Sequence, residues 1–321
     1  MEQLDFSGRV AVITGAGGGL GRAYCLALAA RGAAIVVNDL GGSTTGEGRS
    51  SDYADRVVEE IRATGGRAVA NYDTVATEAG GAAIIAAATD NFGRIDIVIN
   101  NAGNQRNVRF GELTEADIDA VYAVHVKGAF FVTQPAYRVM CRQSYGRIIL
   151  VSSQSGIFGN PIRSNYGSAK TAMIGLMNVI AQEAPAEIAV NCLFPNAAGG
   201  RLGGKPGDVR PDAEFLAAAG AKSAHYRAGM DPSFVASMMV YLASEKCTTS
   251  QNMYSVLGGK YSRVFVGLTR GCFYPGEVAP TAEELASQLP KIDDTTDFDI
   301  PRSGLDEMDL VIAAQATEAR K

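Results

Sequence analysis

The 321-residue sequence contains no tryptophan and only two histidines, His125 and His225, far apart along the chain. Two isolated histidines offer no zinc constellation, so no metal is expected. The five cysteines, Cys25, Cys141, Cys192, Cys247 and Cys272, never form a C-x-x-C pair. An odd, unclustered set suits reduced thiols rather than a disulfide framework. There is no basic block: 29 Lys and Arg stand against 34 Asp and Glu, for a net charge of -5. That balance argues against a nucleic-acid partner. No apolar run approaches the ~18 residues of a membrane span. The first ten residues, "MEQLDFSGRV", lack the charged-then-apolar pattern of a signal, and a cytoplasmic setting is expected. No internal repeat or low-complexity block is present.

What is there is glycine, 37 residues of it, in a chain that is 47% hydrophobic. Short apolar runs recur along the first 260 residues: "RVAVIT" (9–14), "AAIVVND" (33–39), "RAVANY" (67–72), "IDIVIN" (95–100), "RIILVSS" (147–153) and "IAVNCLF" (188–194). Helical patterns separate them, after the first run and at about 52–64, 77–92, 115–142, 164–184 and 232–244. Continuous apolar strands alternating with helices predict a parallel sheet covered on both faces. The expected fold is α/β, a Rossmann-type doubly wound parallel sheet in a single domain over 1–260. Residues 261–321 read as a C-terminal extension, richer in proline, threonine and acid. One helix start is visible there, with Thr281 as cap and Glu284 answering it. The last fifteen or so residues are compatible with either a docked or a loose tail.

Three features carry chemistry. The first strand runs into "TGAGGGLGR", a glycine-rich turn that opens a helix. Such a turn lets backbone N–H groups approach a pyrophosphate at the helix N-terminus. Its residues Gly15, Gly17, Gly18, Gly19, Leu20 and Gly21 are cofactor-binding candidates. Asp39 ends the second strand, followed by Leu40. A carboxylate there accepts from ribose hydroxyls and repels a 2′-phosphate, which favours NAD over NADP, with Arg22 as a nearby cation of the opposite tendency. The alternative role for Asp39 is a turn residue. Third, "YGSAK" sets Tyr166 and Lys170 four apart, on one helix face. A cation beside a phenol favours the phenolate, a usable general base. Surface helices also carry this spacing by chance, and the residues alone leave both readings open.

Together, "TGAGGGLG", "NNAG" (100–103), "SS" (152–153) and "YGSAK" resemble the short-chain dehydrogenase/reductase family over about residues 6–260. "FGRIDIVINNAG", "SGIFGN" and "PNA" are similar to the branch found in peroxisomal multifunctional enzymes, which acts on 3-hydroxyacyl-CoA and 17β-hydroxysteroids. The resemblance implies Tyr166 as acid/base, Lys170 as its partner and ribose ligand, and Ser153 as the group holding the substrate oxygen. Ser152 is implied to be structural. It implies Asp73 and Thr74 at the adenine, and Asn100, Ala102 and Gly103 lining the adenosine side. It places Pro195, Asn196, Ala197 and Ala198 around the nicotinamide, and the stretch 199–230 as a lid. Leu202, Phe215 and Leu216 in that stretch suggest a hydrophobic alcohol or ketone as substrate. A homodimer or homotetramer through the helices at 115–142 and 164–184 is implied as well.

Two departures stand out. His125 occupies a position where the family often has an asparagine that anchors a proton-relay water; it either supports the relay or is a buried core histidine. "PNAAGGRLGG" lacks the threonine that often binds the carboxamide. An enzyme and a catalytically weak NAD-sensing or scaffold protein on the same fold are therefore both open at this stage.

Overall fold

A computed structural model describes residues 3–197, 213–275 and 278–318. The chain divides into two compact units, Met1–Arg263 and Val264–Lys321; the sequence reading puts the change of character after residue 260.

In the first unit the six predicted strands form as β1 (Val10–Thr14), β2 (Ala34–Asn38), β3 (Arg67–Asn71), β4 (Ile97–Asn100), β5 (Gly146–Val151) and β6 (Ile188–Pro195). Two further strands, β7 (Asn252–Leu257) and β8 (Lys260–Val264), extend the sheet to the order β3-β2-β1-β4-β5-β6-β7-β8. Pairing is parallel from β3 through β7. β7 and β8 are joined by Gly258 and Gly259, at φ 57° and 81°. A two-residue turn of this kind needs positive φ at both positions, which glycine adopts without strain.

Eight helices accompany this sheet among the described residues: α1 (Gly19–Ala29), α2 (Asp52–Ala63), α3 (Glu78–Phe92), α4 (Glu115–Tyr122), α5 (Gly128–Gln143), α6 (Ser164–Glu183), α7 (Ala213–Ala224) and α8 (Pro232–Ala243). α1, α2 and α8 bury Leu28, Val57, Ile61, Val235 and Met239 against Ile13, Ile35, Val37 and Ile99. α3, α5 and α6 also pack on the sheet strands. The burial of β1, β2 and β4 at every position explains their unbroken apolar sequence. The predicted single helix at 115–142 is interrupted: α4 and α5 are joined by a π-helical turn, Ala123–Lys127. Such turns insert an extra residue into the helix and are frequent at functional sites.

The chain runs outward from β1 to β3 on one side and from β4 onward on the other. The strand order thus reverses between β1 and β4, and the crevice beyond their carboxyl ends is where ligands bind in such sheets.

The second unit holds α9 (Ala282–Ile292), α10 (Gly304–Glu318) and a short antiparallel pair, β9 (Leu268–Thr269) with β10 (Phe298–Asp299). Thr281 and Glu284 form the expected reciprocal cap. Arg270 pairs with Asp297 and Asp299, and Phe265 stacks on Phe298 at 5.4 Å.

Candidate active site

A cleft of about 480 Å³ opens beyond β1 and β4. It gathers Gly15, Gly18, Gly19, Leu20, Gly21, Asp39, Leu40, Asp73, Thr74, Ala102, Gly103, His125, Ser153, Tyr166, Lys170, Pro195, Asn196 and Ala197. Two predicted cofactor residues do not line it. Gly17 sits behind the turn, its N–H donating to Asp39 at 2.8 Å. Asn100 turns inward, its amide donating to the Thr133 hydroxyl at 2.9 Å. The neighbour Asn101 takes the lining position instead. Its side chain donates to the carbonyls of Thr14 and Gly15 at 2.9 and 3.0 Å. The Thr14 hydroxyl in turn accepts from the N–H groups of Asn101 and Ala102, both at 3.0 Å. These bonds lock the 100–103 turn to the glycine turn. Strand alternation decides between the two asparagines, and a one-residue uncertainty in the end of β4 hides it from the sequence. Ala198 and Leu202 lie outside the described residues, as do the side chains of Phe215 and Leu216.

One half of the cleft fits a dinucleotide. α1 begins at Gly19 with no side-chain cap and no acid in its first turn. Its first N–H groups therefore lack intrahelical partners and favour an anion. The turn is as close as backbone allows: a Cβ at Gly21 would stand 2.3 Å from the Gly15 carbonyl, and one at Gly15 2.8 Å from Ala102 Cα. Asp39, 4% exposed, accepts from Gly17 N–H and Gly41 N–H, each at 2.8 Å. Arg22 does not reach the cleft; it pairs with Glu60 on α2. A loop of residues 42–46 also lines the cleft. It is tied across it by Gln105 N–H donating to the Thr44 carbonyl at 3.0 Å and by Arg106 pairing with Glu47 at 3.1 Å.

The other half is made of buried side chains. α6 carries Tyr166 and Lys170, 6% and 4% exposed. Lys170 Nζ donates to the Val151 carbonyl at 2.6 Å and lies 5.6 Å from the centre of the Tyr166 ring. Ser152 donates to the Lys170 carbonyl at 2.7 Å. Ser153, at the end of β5, accepts from Ser155 N–H at 3.2 Å.

The electrostatics differ from the sequence expectation. Burial raises the pKa of Tyr166, opposed by the Ser153 hydroxyl, the Arg163 charge and the Gln105 amide. Burial also pushes Lys170 down, to about 7. Lys170 is not among the groups that lower Tyr166. In a low-dielectric interior each charge pays its own desolvation, and that outweighs the mutual help of a pair whose cation points at a carbonyl. The groups favouring the phenolate are thus Ser153, Arg163 and Gln105, and the last two were not foreseen.

His125, 3% exposed, stands in the π-helical turn, edge-on to Tyr166 at 5.2 Å. Its Nε2 is 2.9 Å from the Asn104 carbonyl and 3.2 Å from the Asn104 N–H. The two contacts require opposite tautomers; the shorter one puts the proton on Nε2 and leaves Nδ1 as an acceptor. Nδ1 is buried without a partner. Burial, then the Lys170 charge, holds the ring's pKa well below its ordinary value, so it is neutral. A second cavity of about 10 Å³ touches His125, Lys170, Asn100 and Thr14, the size of a single water.

A profile of the short chain dehydrogenase family matches residues 9–202. Peroxisomal multifunctional enzyme A of Dictyostelium discoideum is 40% identical over 97% of this chain and 66% of its own length. A short-chain type dehydrogenase/reductase of Mycobacterium tuberculosis is 42% identical, over 89% of this chain and 94% of that protein. The structure of full-length peroxisomal multifunctional enzyme type 2 from Drosophila melanogaster superposes with a TM-score of 0.76 at 31% identity, covering 98% of this chain and 50% of that one. This chain belongs to the short-chain dehydrogenase family. It is an oxidoreductase of a family that works with nicotinamide cofactors on small molecules. It spans only part of the multifunctional relatives, 66% of the Dictyostelium protein and 38% of the mouse type 2 enzyme. Their names place them in peroxisomes, which does not favour the cytoplasmic setting read from the sequence. Among the described residues no helix is long and apolar enough to cross a membrane.

Proposed function

We propose that the chain is an NAD-dependent dehydrogenase interconverting a secondary alcohol and a ketone on a hydrophobic substrate, a 3-hydroxyacyl-CoA or a hydroxysteroid. The observation that carries this is the single cleft that holds Asp39 at one end and Ser153, Tyr166 and Lys170 at the other. Bound NAD supplies the hydride acceptor. The protein's own part is orientation and proton handling. Ser153 holds the substrate oxygen. Tyr166, as phenolate, takes the alcohol proton, and as phenol returns it in the reverse direction. Lys170 holds the nicotinamide ribose. His125, which lines the small cavity shared with Lys170 and has no protein partner at Nδ1, would accept a hydrogen bond from a water there and extend the proton path. Asp39 is held by two backbone N–H groups, with Arg22 engaged elsewhere. That supports NAD over NADP, because a 2′-phosphate would meet the carboxylate. Phe130 on α5 and Val179 on α6, 51% and 55% exposed, support self-association through those helices.

The test is absorbance of the reduced cofactor with NAD or NADP and a panel of secondary alcohols including a 3-hydroxyacyl thioester and a 17β-hydroxysteroid. Turnover with NAD and one of these two is expected. Cofactor binding without turnover on any of the panel would favour a sensing or scaffold role, and NADP used as well as NAD would remove the reading of Asp39. A monomeric mass by light scattering would remove self-association.

A further inference from the structure

Arg163 precedes α6 as its cap residue and lines the cleft three residues before Tyr166. Among the described residues its half-buried guanidinium has no hydrogen bond or ion pair. Its position is electrostatically adverse. The N-terminus of a helix carries partial positive charge, so a cation there gains nothing from the helix. A helix of 20 residues with no acid in its first turn offers no compensation.

The backbone that holds it is also strained. Ile162 adopts φ 59°. A β-branched side chain in the left-handed region is a true outlier, and such strain persists only where the surroundings impose it. Here they do. The Ile162 carbonyl accepts from Val108 N–H at 3.0 Å. The Asn165 amide, 3% exposed, donates to the carbonyls of Arg106 and Asp117, both at 3.1 Å. Two of these contacts fasten the 106–108 loop to the start of α6, and the third ties α6 to Asp117 on α4. They fix the backbone from which Arg163 projects. Opposite, Gln105 lines the same cleft with its amide oxygen buried and unpartnered. The reaction end of the cleft therefore carries polar capacity that the protein does not itself satisfy. A purely hydrophobic substrate would leave it unsatisfied at a cost.

We infer that Arg163 is a specificity-determining residue, whose guanidinium binds the acyl oxygen of a substrate bearing its hydroxyl on the third carbon. This rests on the dehydrogenase reading above and narrows it: of the two substrate classes, the 3-hydroxyacyl one has an oxygen next to the reacting centre for Arg163 to hold. A hydroxysteroid has none there. The guanidinium fork suits a thioester carbonyl and a free carboxylate alike.

The experiment compares three alcohols of equal chain length with the full chain and NAD: a 3-hydroxyacyl-CoA, the free 3-hydroxy acid and a plain secondary alcohol. All are measured at one pH, and each loss is read as a ratio to that of the plain alcohol, so that any effect on Tyr166 ionisation cancels. Relative to the plain alcohol, Arg163→Met should lower kcat/KM roughly 10- to 100-fold for substrates bearing an acyl oxygen, mainly through KM. Arg163→Lys should recover part of the loss. Whether the thioester or the acid shows the larger loss identifies the source of the oxygen. Calorimetric titration of the 3-hydroxyacyl thioester into the protein–NADH complex, in which both partners are already reduced, should show the same weakening without turnover. An equal loss on all three alcohols, or no loss on any, overturns the proposal. Tyr166→Phe in the same assay separates the two failures: turnover that survives it sinks the dehydrogenase reading, whereas equal losses with Arg163→Met sink only the role of Arg163.

Discussion

The two halves of the cleft are built by different means. The phosphate half is backbone: a glycine turn, the first N–H groups of α1, and Asp39 held by two more N–H groups. The reaction half is side chain: Tyr166, Lys170, His125 and Ser153, drawn from α6, the π-helical turn and the end of β5. Backbone recognition tolerates the loss of a side chain but not the gain of one. Side-chain chemistry is the reverse. One half should thus fail on addition of a methyl group and the other on removal of a single oxygen.

The largest effect is expected from that oxygen. Tyr166→Phe keeps the ring packed but removes the proton-transfer group. Turnover should fall by at least about 10²–10⁴ while NADH binding, followed by fluorescence, stays near normal. A matching loss of binding would mean that the halves are not separable.

A smaller effect is expected in the backbone half. In Gly21→Ala the new Cβ meets the Gly15 carbonyl at 2.3 Å, Ala16 Cα at 2.8 Å and the Asn101 amide at 2.8 Å. Backbone has to shift, at about 1–3 kcal/mol. NAD should bind about tenfold or more weaker, with a lower Tm, whereas kcat at saturating NAD should change little. Unchanged affinity would show that the turn has slack.

The smallest and most pointed effect concerns Lys170. Its folded pKa is about 7, against 10.5 for an ordinary lysine. Between those values the unfolded chain binds the extra proton, so this group's contribution to stability rises with pH across that window. Below about pH 7 the folded protein carries a buried ammonium, and its burden is greatest. Lys170→Met should abolish most turnover and weaken NAD, yet raise Tm at pH 6.5 by about 2 °C or more, with the gain fading toward pH 10. A gain independent of pH would point to packing rather than charge.

The same contrast explains what the sequence allowed to be read. The buried strands β1, β2 and β4 announce themselves because burial on both faces leaves no polar position. The glycine turn is legible because nothing but glycine satisfies its spacing. Residues 252–264 carry no strand signal, since β7 and β8 are only partly buried and lack a continuous apolar run. The π-helical turn at 123–127 has no periodic signature in a stretch that otherwise reads as helix. Side-chain neighbours are the least legible. Gln105 and Arg163 come to Tyr166 through loops whose path depends on Val108, Ile162 and Asn165, and no local pattern encodes that meeting. Nor does Y-x-x-x-K reveal that the Lys170 ammonium is directed at the Val151 carbonyl rather than at the phenol.

Gly103 and His125 form a joint constraint with a consequence for how this protein can change. A Cβ at position 103 would stand 2.6 Å from His125 Cε1. The imidazole occupies the space that the glycine leaves. Neither position can therefore drift independently: a larger residue at 103 becomes tolerable only once 125 has shrunk. In a double-mutant cycle the two changes should be strongly non-additive. An accumulating lineage would have to cross that gap in one order only, His125 first.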